Sequence, residues 1–163
     1  MNIADRLAAL ERRVAELESR EAGSQSAAEG DMRWPLRNLS ARLTDPGAVM
    51  VVGDVLLPDG RRAHWQEGEA TNDALGGDWA EAAETVTALG HPVRLRILQR
   101  VLSGATSVSE LVDVEGVGTS GQVYHHLRRL VAAGWLRALE GGQFEVPLAR
   151  VVPLLTIVLG GRR

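Results

Sequence analysis

The apolar positions of the chain change their spacing from one segment to the next, and each spacing predicts a different element. Between residues 2 and 21 an apolar residue recurs at alternating intervals of four and three, which is the heptad seam of a coiled coil. In a parallel dimer, Arg6 and Arg13 would each face a glutamate of the other copy. We therefore predict an N-terminal coiled-coil helix over residues 1–21, with dimer contacts at Leu7, Leu10, Val14 and Leu17. Docking of the same stripe on the body of the chain is the alternative.

Residues 22–31 lack large apolar side chains and any periodicity, which is typical of a flexible linker. Beyond them, residues 32–75 are predicted to form a small α+β unit made of one helix and one β-hairpin. The helix begins near Pro35, a residue suited to a first helical turn, and ends before Asp45-Pro46-Gly47. Pro58-Asp59-Gly60 supplies the turn between a strand over residues 48–57, rich in Val and Leu, and a second strand of alternating polarity over residues 61–66.

Residues 76–163 show the order of elements of a winged helix-turn-helix domain. A leading helix capped by Asp78 is predicted to bury one stripe, formed by Trp79, Ala82, Val86 and Leu89. A helix over residues 93–102 follows. The segment Ser107–Glu110 then has the spacing of a capping box, which predicts the start of a short helix.

The recognition helix of this domain is predicted from a second capping box, Thr119–Gln122, to about residue 133. At about 100° per residue, its apolar side faces the core through Val123, Leu127 and Leu130. The opposite side offers donors for base edges and charge for phosphates, as a helix in a DNA major groove requires. We predict DNA contacts at Thr119, Ser120, Gly121, Gln122, Tyr124, His125, Arg128 and Arg129. His126 lies nearer the apolar stripe and is predicted to be partly buried and hydrogen-bonded.

Two further elements complete the domain. Glu140-Gly141-Gly142 is predicted to be the tip of a hairpin, the wing, in which Arg137 is a further DNA-contacting residue. Residues 151–159 are predicted to form a helix that is apolar nearly all round, so another subunit or the middle unit must cover it. We predict dimer contacts there at Leu154, Leu155 and Val158. The fold class is α+β, mainly α: a winged helix-turn-helix domain, residues 76–163, preceded by the coiled-coil helix and the small helix-and-hairpin unit.

Composition and charge narrow the class of function. The chain has no cysteine, which excludes disulfides, thiolate metal sites and a cysteine nucleophile. Residues 1–90 carry 9 arginines and 16 acidic residues, whereas residues 91–163 carry 9 arginines and 5 acidic residues, so the second half is basic although the whole chain has a net charge of −3. The sequence shows no signal-peptide core and no apolar run of bilayer length, and we expect a cytoplasmic protein without a membrane partner. It also shows no phosphate-binding loop and no spaced catalytic serine, histidine and aspartate, and we expect no enzymatic activity.

Three segments carry a resemblance to a known family. They are His91–Leu98 (His-Pro-Val-Arg-Leu-Arg-Ile-Leu), Val123–Leu130 (Val-Tyr-His-His-Leu-Arg-Arg-Leu), and Ala132–Leu136 (Ala-Ala-Gly-Trp-Leu) before a glycine hairpin. Together they resemble the ArsR-type (arsenic-repressor-like) winged-helix regulators of bacteria. The resemblance covers about residues 80–160 and implies a homodimeric DNA-binding transcriptional regulator, often a repressor, whose dimer contact uses the terminal helices. Residues 1–75 are an addition to the usual short N-terminus of that family.

Metal sensing is known in this family, but we expect no metal site and no cofactor here. The thiolate version needs cysteine, and the predicted terminal helix contains no His, Asp, Glu or Asn as a ligand. An unidentified small-molecule or protein effector is left open. Within the middle unit, Trp34, Trp65 and the hairpin leave two interpretations open: plain core packing, or a ligand-sensing or dimer-stabilising role of residues 32–75.

Two functions of different classes are compatible with these patterns. The first is a dimeric transcriptional regulator whose partner is double-stranded DNA. The second is an adaptor that uses its winged helix to bind another protein and does not bind DNA. The salt dependence of DNA affinity separates them, because only phosphate contacts release counterions.

Overall fold

The computed structural model describes residues 10, 13, 14, 34–43, 45–112 and 119–162, which fall in two compact units, Met1–Gly47 and Ala48–Arg163. In the first unit, helix α1 spans Trp34–Ser40, where the sequence predicted a helix. Leu10 and Val14 are helical and exposed to solvent. The other two predicted coil contacts, Leu7 and Leu17, and the predicted linker lie outside the described residues.

The second unit begins with an antiparallel hairpin of two nine-residue strands, β1 (Ala48–Leu56) and β2 (Arg62–Ala70). The hairpin is confirmed, but β2 extends four residues beyond the predicted end. Gly60 in the turn has a φ of 83°, which is a left-handed conformation that favours glycine. Ala63 is buried, and it shares one face of the sheet with Trp65.

Three short elements follow the hairpin: helix α2 (Thr71–Gly76), a 3₁₀ turn (Trp79–Ala82) and helix α3 (Ala83–Thr87). Asp78 caps the turn as predicted, because its carboxylate accepts a hydrogen bond of 2.9 Å from the backbone N–H of Ala80.

The predicted buried stripe of this leading helix is wrong except at Leu89. Trp79 is 69% exposed, Val86 is 50% exposed, and Ala82 is also exposed. The physical reason is that the segment is divided between a 3₁₀ turn and a single α-helical turn, so a period of 3.6 residues does not run through it.

Helix α4 (Pro92–Leu102) precedes the helix-turn-helix, which consists of α5 (Val108–Val112) and the recognition helix α6 (Ser120–Ala132). The wing follows as two short antiparallel strands, β3 (Arg137–Ala138) and β4 (Phe144–Glu145), joined through a 3₁₀ turn at Glu140–Gly142. Ser107 pairs with Gln143, which ties the start of α5 to the wing. Gly141 and Gly142 both have a φ of 73°, which explains the glycine pair at the tip. These elements confirm the α+β, mainly α, winged-helix fold.

The last helix, α7 (Leu148–Gly160), packs under the hairpin. The contact is close: a Cβ added at Gly53 of β1 would lie 2.5 Å from Cγ1 of Val152. Leu57 and Ala63 of the hairpin region join the same core as the buried residues of the winged helix. Residues 48–163 form one compact unit, whereas the sequence predicted a domain boundary at residue 76. The hairpin belongs to this unit because its apolar face needs α7 to cover it.

Coverage of the terminal helix by the middle unit was one of two alternatives, and the hairpin supplies it. The coverage is partial, since Leu155, Ile157 and Leu159 remain exposed. Among the described residues, no helix combines the length and the apolarity that are required to cross a bilayer.

Candidate nucleic-acid interface

A capping box fixes the start of α5, the first helix of the helix-turn-helix. Glu110 accepts hydrogen bonds from the backbone N–H groups of Thr106 and Ser107 at 3.0 and 2.8 Å, and from Oγ of Ser107 at 2.7 Å. The backbone N–H of Glu110 in turn donates to Oγ of Ser107. These donors lower the pKa of Glu110 to about 2.

The recognition helix α6 buries one stripe, as the sequence predicted. Val123, Leu127 and Leu130 are fully or almost fully buried in the core. At the N-terminus of the helix, the side-chain Oε1 of Gln122 accepts a hydrogen bond of 2.8 Å from the backbone N–H of Thr119. The helix is thus fixed both by its core stripe and by its first turn.

The opposite side of α6 is open to solvent at every position predicted to contact DNA. Exposed side chains or backbone are present at Thr119, Ser120, Gly121, Gln122, Tyr124, His125, Arg128 and Arg129. The guanidinium groups of Arg128 and Arg129 form no hydrogen bond or ion pair with the described residues. A Cβ added at Gly121 would touch only Oγ1 of Thr119, at 3.9 Å, so the helix presents bare backbone there. We call this surface of residues 119–129 the recognition face.

The side chain of Gln122 has two roles, one in capping α6 and one in the predicted DNA contact. Its Oε1 oxygen is used by the cap, which leaves the amide Nε2 as a donor for a base edge. The sequence predicted both the capping box and the DNA contact for this residue, and the geometry accommodates the two together only through different atoms of the amide.

His126 lies behind the recognition face. The centroid of its ring is 4.8 Å from that of His91 and 5.8 Å from that of His125. Partial burial was predicted and is found, but the predicted hydrogen bond is absent at Nδ1, which is buried without a partner among the described residues. Burial lowers the pKa of His126, and the nearby charges of His91, Arg94 and His125 act in the same direction.

The wing arginine is not a free cation. Arg137 donates to Oε1 of Glu145, its cross-strand neighbour in the wing, with Nε at 2.8 Å. The other carboxylate oxygen of Glu145 accepts from Arg61 at 2.6 Å, and Arg61 also pairs with Asp59 at 2.7 Å. Glu145 therefore joins the wing to the turn of the first hairpin and neutralises part of the charge of Arg137. Sequence reasoning missed this role of Glu145, because no local spacing relates it to Arg61.

Arg94 of α4 connects that helix to the end of α3. Arg94 donates through Nη2 to the carbonyl of Thr87 at 3.0 Å, and its Nε donates to the carbonyl of Ala88. These two carbonyls end helix α3, so Arg94 caps that helix at its C-terminus. Its role in the fold is therefore structural as well as electrostatic.

The three predicted dimer contacts on the terminal helix differ in how far they are buried. Leu154 is only 2% exposed, and it belongs to the core of its own chain, so the structure removes it from the set of surface contacts. Leu155 is exposed and Val158 is half-buried. These two border a cavity of about 370 Å³ between α4 and α7 that Leu95 and Leu102 also line.

Comparison with known families gives one match: a model described as a helix-turn-helix domain matches residues 89–144. The comparisons with curated proteins and with solved structures found no match. The matched range contains α4, α5, α6 and most of the wing, so the family model and the structure place a helix-turn-helix in the same part of the chain. The match is to the helix-turn-helix domain in general, and the finer resemblance to the ArsR type stays a prediction.

Proposed function

We propose that this protein is a sequence-specific transcriptional regulator of the ArsR-like type that binds double-stranded DNA as a homodimer and acts as a repressor in the cytoplasm. The observation that carries the proposal is the recognition face. It is exposed along its whole length, it is rich in donors, and it lies on a helix whose other side is fixed in the core.

The chemistry of this face divides into two roles. Arg128, near the C-terminal end of the face, offers the bidentate guanidinium that suits guanine O6 and N7, and Nε2 of Gln122 offers a donor nearer the start of the helix. Arg129, His125 and the hydroxyls of Thr119 and Ser120 are suited to phosphate oxygens. Arg137 is the weakest member of the set, because a DNA phosphate would have to compete with Glu145 for it.

Exposed apolar side chains support the proposed homodimer. Leu10 and Val14 present apolar side chains to solvent on a helical segment, and Leu155 and Leu159 do the same on α7. Two recognition faces related by a two-fold axis would require an inverted-repeat operator with half-sites about 10–10.5 bp apart. Occupation of such a site in a promoter is the simplest route to repression.

The experiment is selection of bound duplexes from a random pool with the full chain, followed by affinity measurements on the selected duplex at several salt concentrations. We expect an inverted repeat, and a fall in affinity of about 10³-fold or more between 50 and 200 mM salt if six or more phosphates are contacted. Absence of DNA binding even at the lowest salt would contradict the proposal and favour the protein-binding adaptor. Selection of a single half-site would contradict the homodimer while leaving DNA recognition intact.

A further inference from the structure

A second concave site lies away from the recognition helix, between the first hairpin and α7. It is a cavity of about 630 Å³, which is within the size range of small-molecule sites. Its apolar wall is built by Val49 and Val51 from β1 and by Pro153 and Ile157 from α7. Neither the helix-turn-helix domain nor the proposed DNA contacts use these residues.

The inner face of β2 changes character along its length. Ala63 and Trp65 pack toward α7, but the next two residues on the same face are Glu67 and Glu69, and both line the cavity. They stand opposite Val51 and Val49 in the sheet register. Two carboxylates thus replace apolar side chains on a face that is otherwise hydrophobic. The predicted strand ended at residue 66, so this reversal was missed, although the alternation Ala63-Trp65-Glu67-Glu69 is visible in the sequence.

Neither carboxylate has a positive partner in the described part of the chain. The carboxylates of Glu67 and Glu69 form no ion pair or hydrogen bond there, whereas the carboxylate of Asp54, on the other face of the same hairpin, pairs with Arg62 and His64. Residues two apart on one face of a strand are separated by about 6.6 Å, so the two negative charges repel one another. A bound cation would remove this repulsion.

Two indole rings complete the cavity. Trp65 is half-buried, and Trp79 is largely exposed with its ring held by a hydrogen bond of 2.7 Å from Nε1 to the carbonyl of Ala74. Both rings line the cavity. The faces of indole rings attract cations, and they attract organic cations with apolar substituents most readily because such cations lose little hydration.

We propose that this cavity, which we call the indole-carboxylate cavity, binds a small lipophilic organic cation. The apolar strand and helix residues contact the hydrocarbon part of the ligand, the two indoles contact its charged centre, and Glu67 and Glu69 balance its charge. The inference concerns binding to the free protein and does not depend on the proposed DNA function.

The test uses two probes of the same shape and opposite charge, tetraphenylphosphonium and tetraphenylborate, titrated calorimetrically into the full chain without DNA. We expect the phosphonium ion to bind and the borate ion to bind at least about tenfold more weakly, since the carboxylates attract one and repel the other. Equal binding of the two ions would overturn the proposal, because it would show a merely apolar surface. So would failure of the phosphonium ion to bind, the result expected if a second copy or another part of the chain covers the cavity.

Matched variants connect the binding to this cavity. The double variant Glu67→Gln/Glu69→Gln keeps the shape of both exposed side chains, so it is expected to fold and to lose about tenfold or more in phosphonium affinity. The separate variant Trp79→Ala removes one indole and is expected to bind the phosphonium ion more weakly than the wild type. The control Glu84→Gln removes an exposed carboxylate of α3 that does not line the cavity, and it should leave the affinity unchanged. An unchanged affinity in the double variant would place the bound ion elsewhere and refute the assignment.

Discussion

At the scale of single residues, Glu110 holds the start of α5 through hydrogen bonds to its own carboxylate. The pKa of about 2 is below the ordinary value of 4.5, so the folded state favours the ionised form more strongly than the unfolded chain does. The stabilisation is therefore complete above about pH 4.5 and is lost as the pH falls toward 2.

We predict that Glu110→Gln lowers the urea midpoint of unfolding at pH 7, and that the difference from the wild-type chain shrinks as the pH falls from 4.5 toward 2. The measurement is urea denaturation at a series of pH values. Glu84→Gln serves as the control for loss of an exposed carboxylate without these donors. A difference between wild type and Glu110→Gln that stays constant down to pH 2 would show that the hydrogen bonds do not depend on the charge.

Residue roles that depend on local spacing were predictable from the sequence. The core stripe of α6 at Val123, Leu127 and Leu130 follows from helical periodicity, and the Ser107–Glu110 box follows from the three-residue interval. Roles that depend on long-range contacts were not predictable. The pairing of Glu145 with both Arg61 and Arg137 depends on residues that meet only in the folded chain. So does the burial of Nδ1 of His126, which has no partner among the described residues.

At the scale of elements, the close contact between β1 and α7 joins the hairpin to the winged helix. Gly53 permits a close approach of the two elements, because any side chain there would meet Val152. The sequence predicted both elements, but it placed the hairpin in a separate unit. A glycine within a Val-rich strand is the local signal that a neighbour packs closely against the strand.

We predict that Gly53→Ala destabilises the fold by about 1–3 kcal/mol, since the added methyl group overlaps both Cγ atoms of Val152. Chemical denaturation measures the change. Gly76→Ala is the matched control, because a Cβ at Gly76 meets nothing within 4 Å. Combining Gly53→Ala with Val152→Ala should recover part of the loss, and an equal loss in Gly53→Ala and Gly76→Ala would show that the contact is not close.

The leading segment shows the limit of periodic patterns at this scale. Its apolar residues had helical spacing, yet the backbone forms a 3₁₀ turn and one α-helical turn, and Trp79 contacts α2 through its indole N–H instead of entering the core. Short segments between stronger elements adopt the conformation that their neighbours permit, which local spacing does not encode.

At the scale of the whole molecule, charge and shape separate two surfaces within residues 48–163. The recognition face is carried by α6 and has arginine side chains without a partner among the described residues. The indole-carboxylate cavity is carried by the hairpin and α7 and has glutamate side chains that likewise lack a partner there. The net charge of −3 conceals this division. The elements that carry these surfaces are connected by the ion pair between Arg61 and Glu145, which joins the turn of the first hairpin to the wing.

The central claim is that the recognition face reads base sequence, and substitution of single arginines tests it most directly. The affinities of Arg128→Ala, Arg129→Ala and the control Arg62→Ala are measured on the selected duplex, on its single-base variants and on random duplex at one salt concentration. Arg62 lies on the hairpin and pairs with Asp54 outside the recognition face. We expect Arg128→Ala to lose about 1–3 kcal/mol on the selected duplex and to lose preference at one base pair, Arg129→Ala to lose affinity evenly on all duplexes, and the control to match the wild type. Equal losses by Arg128→Ala on selected and random duplexes, or no loss at all, would contradict the account.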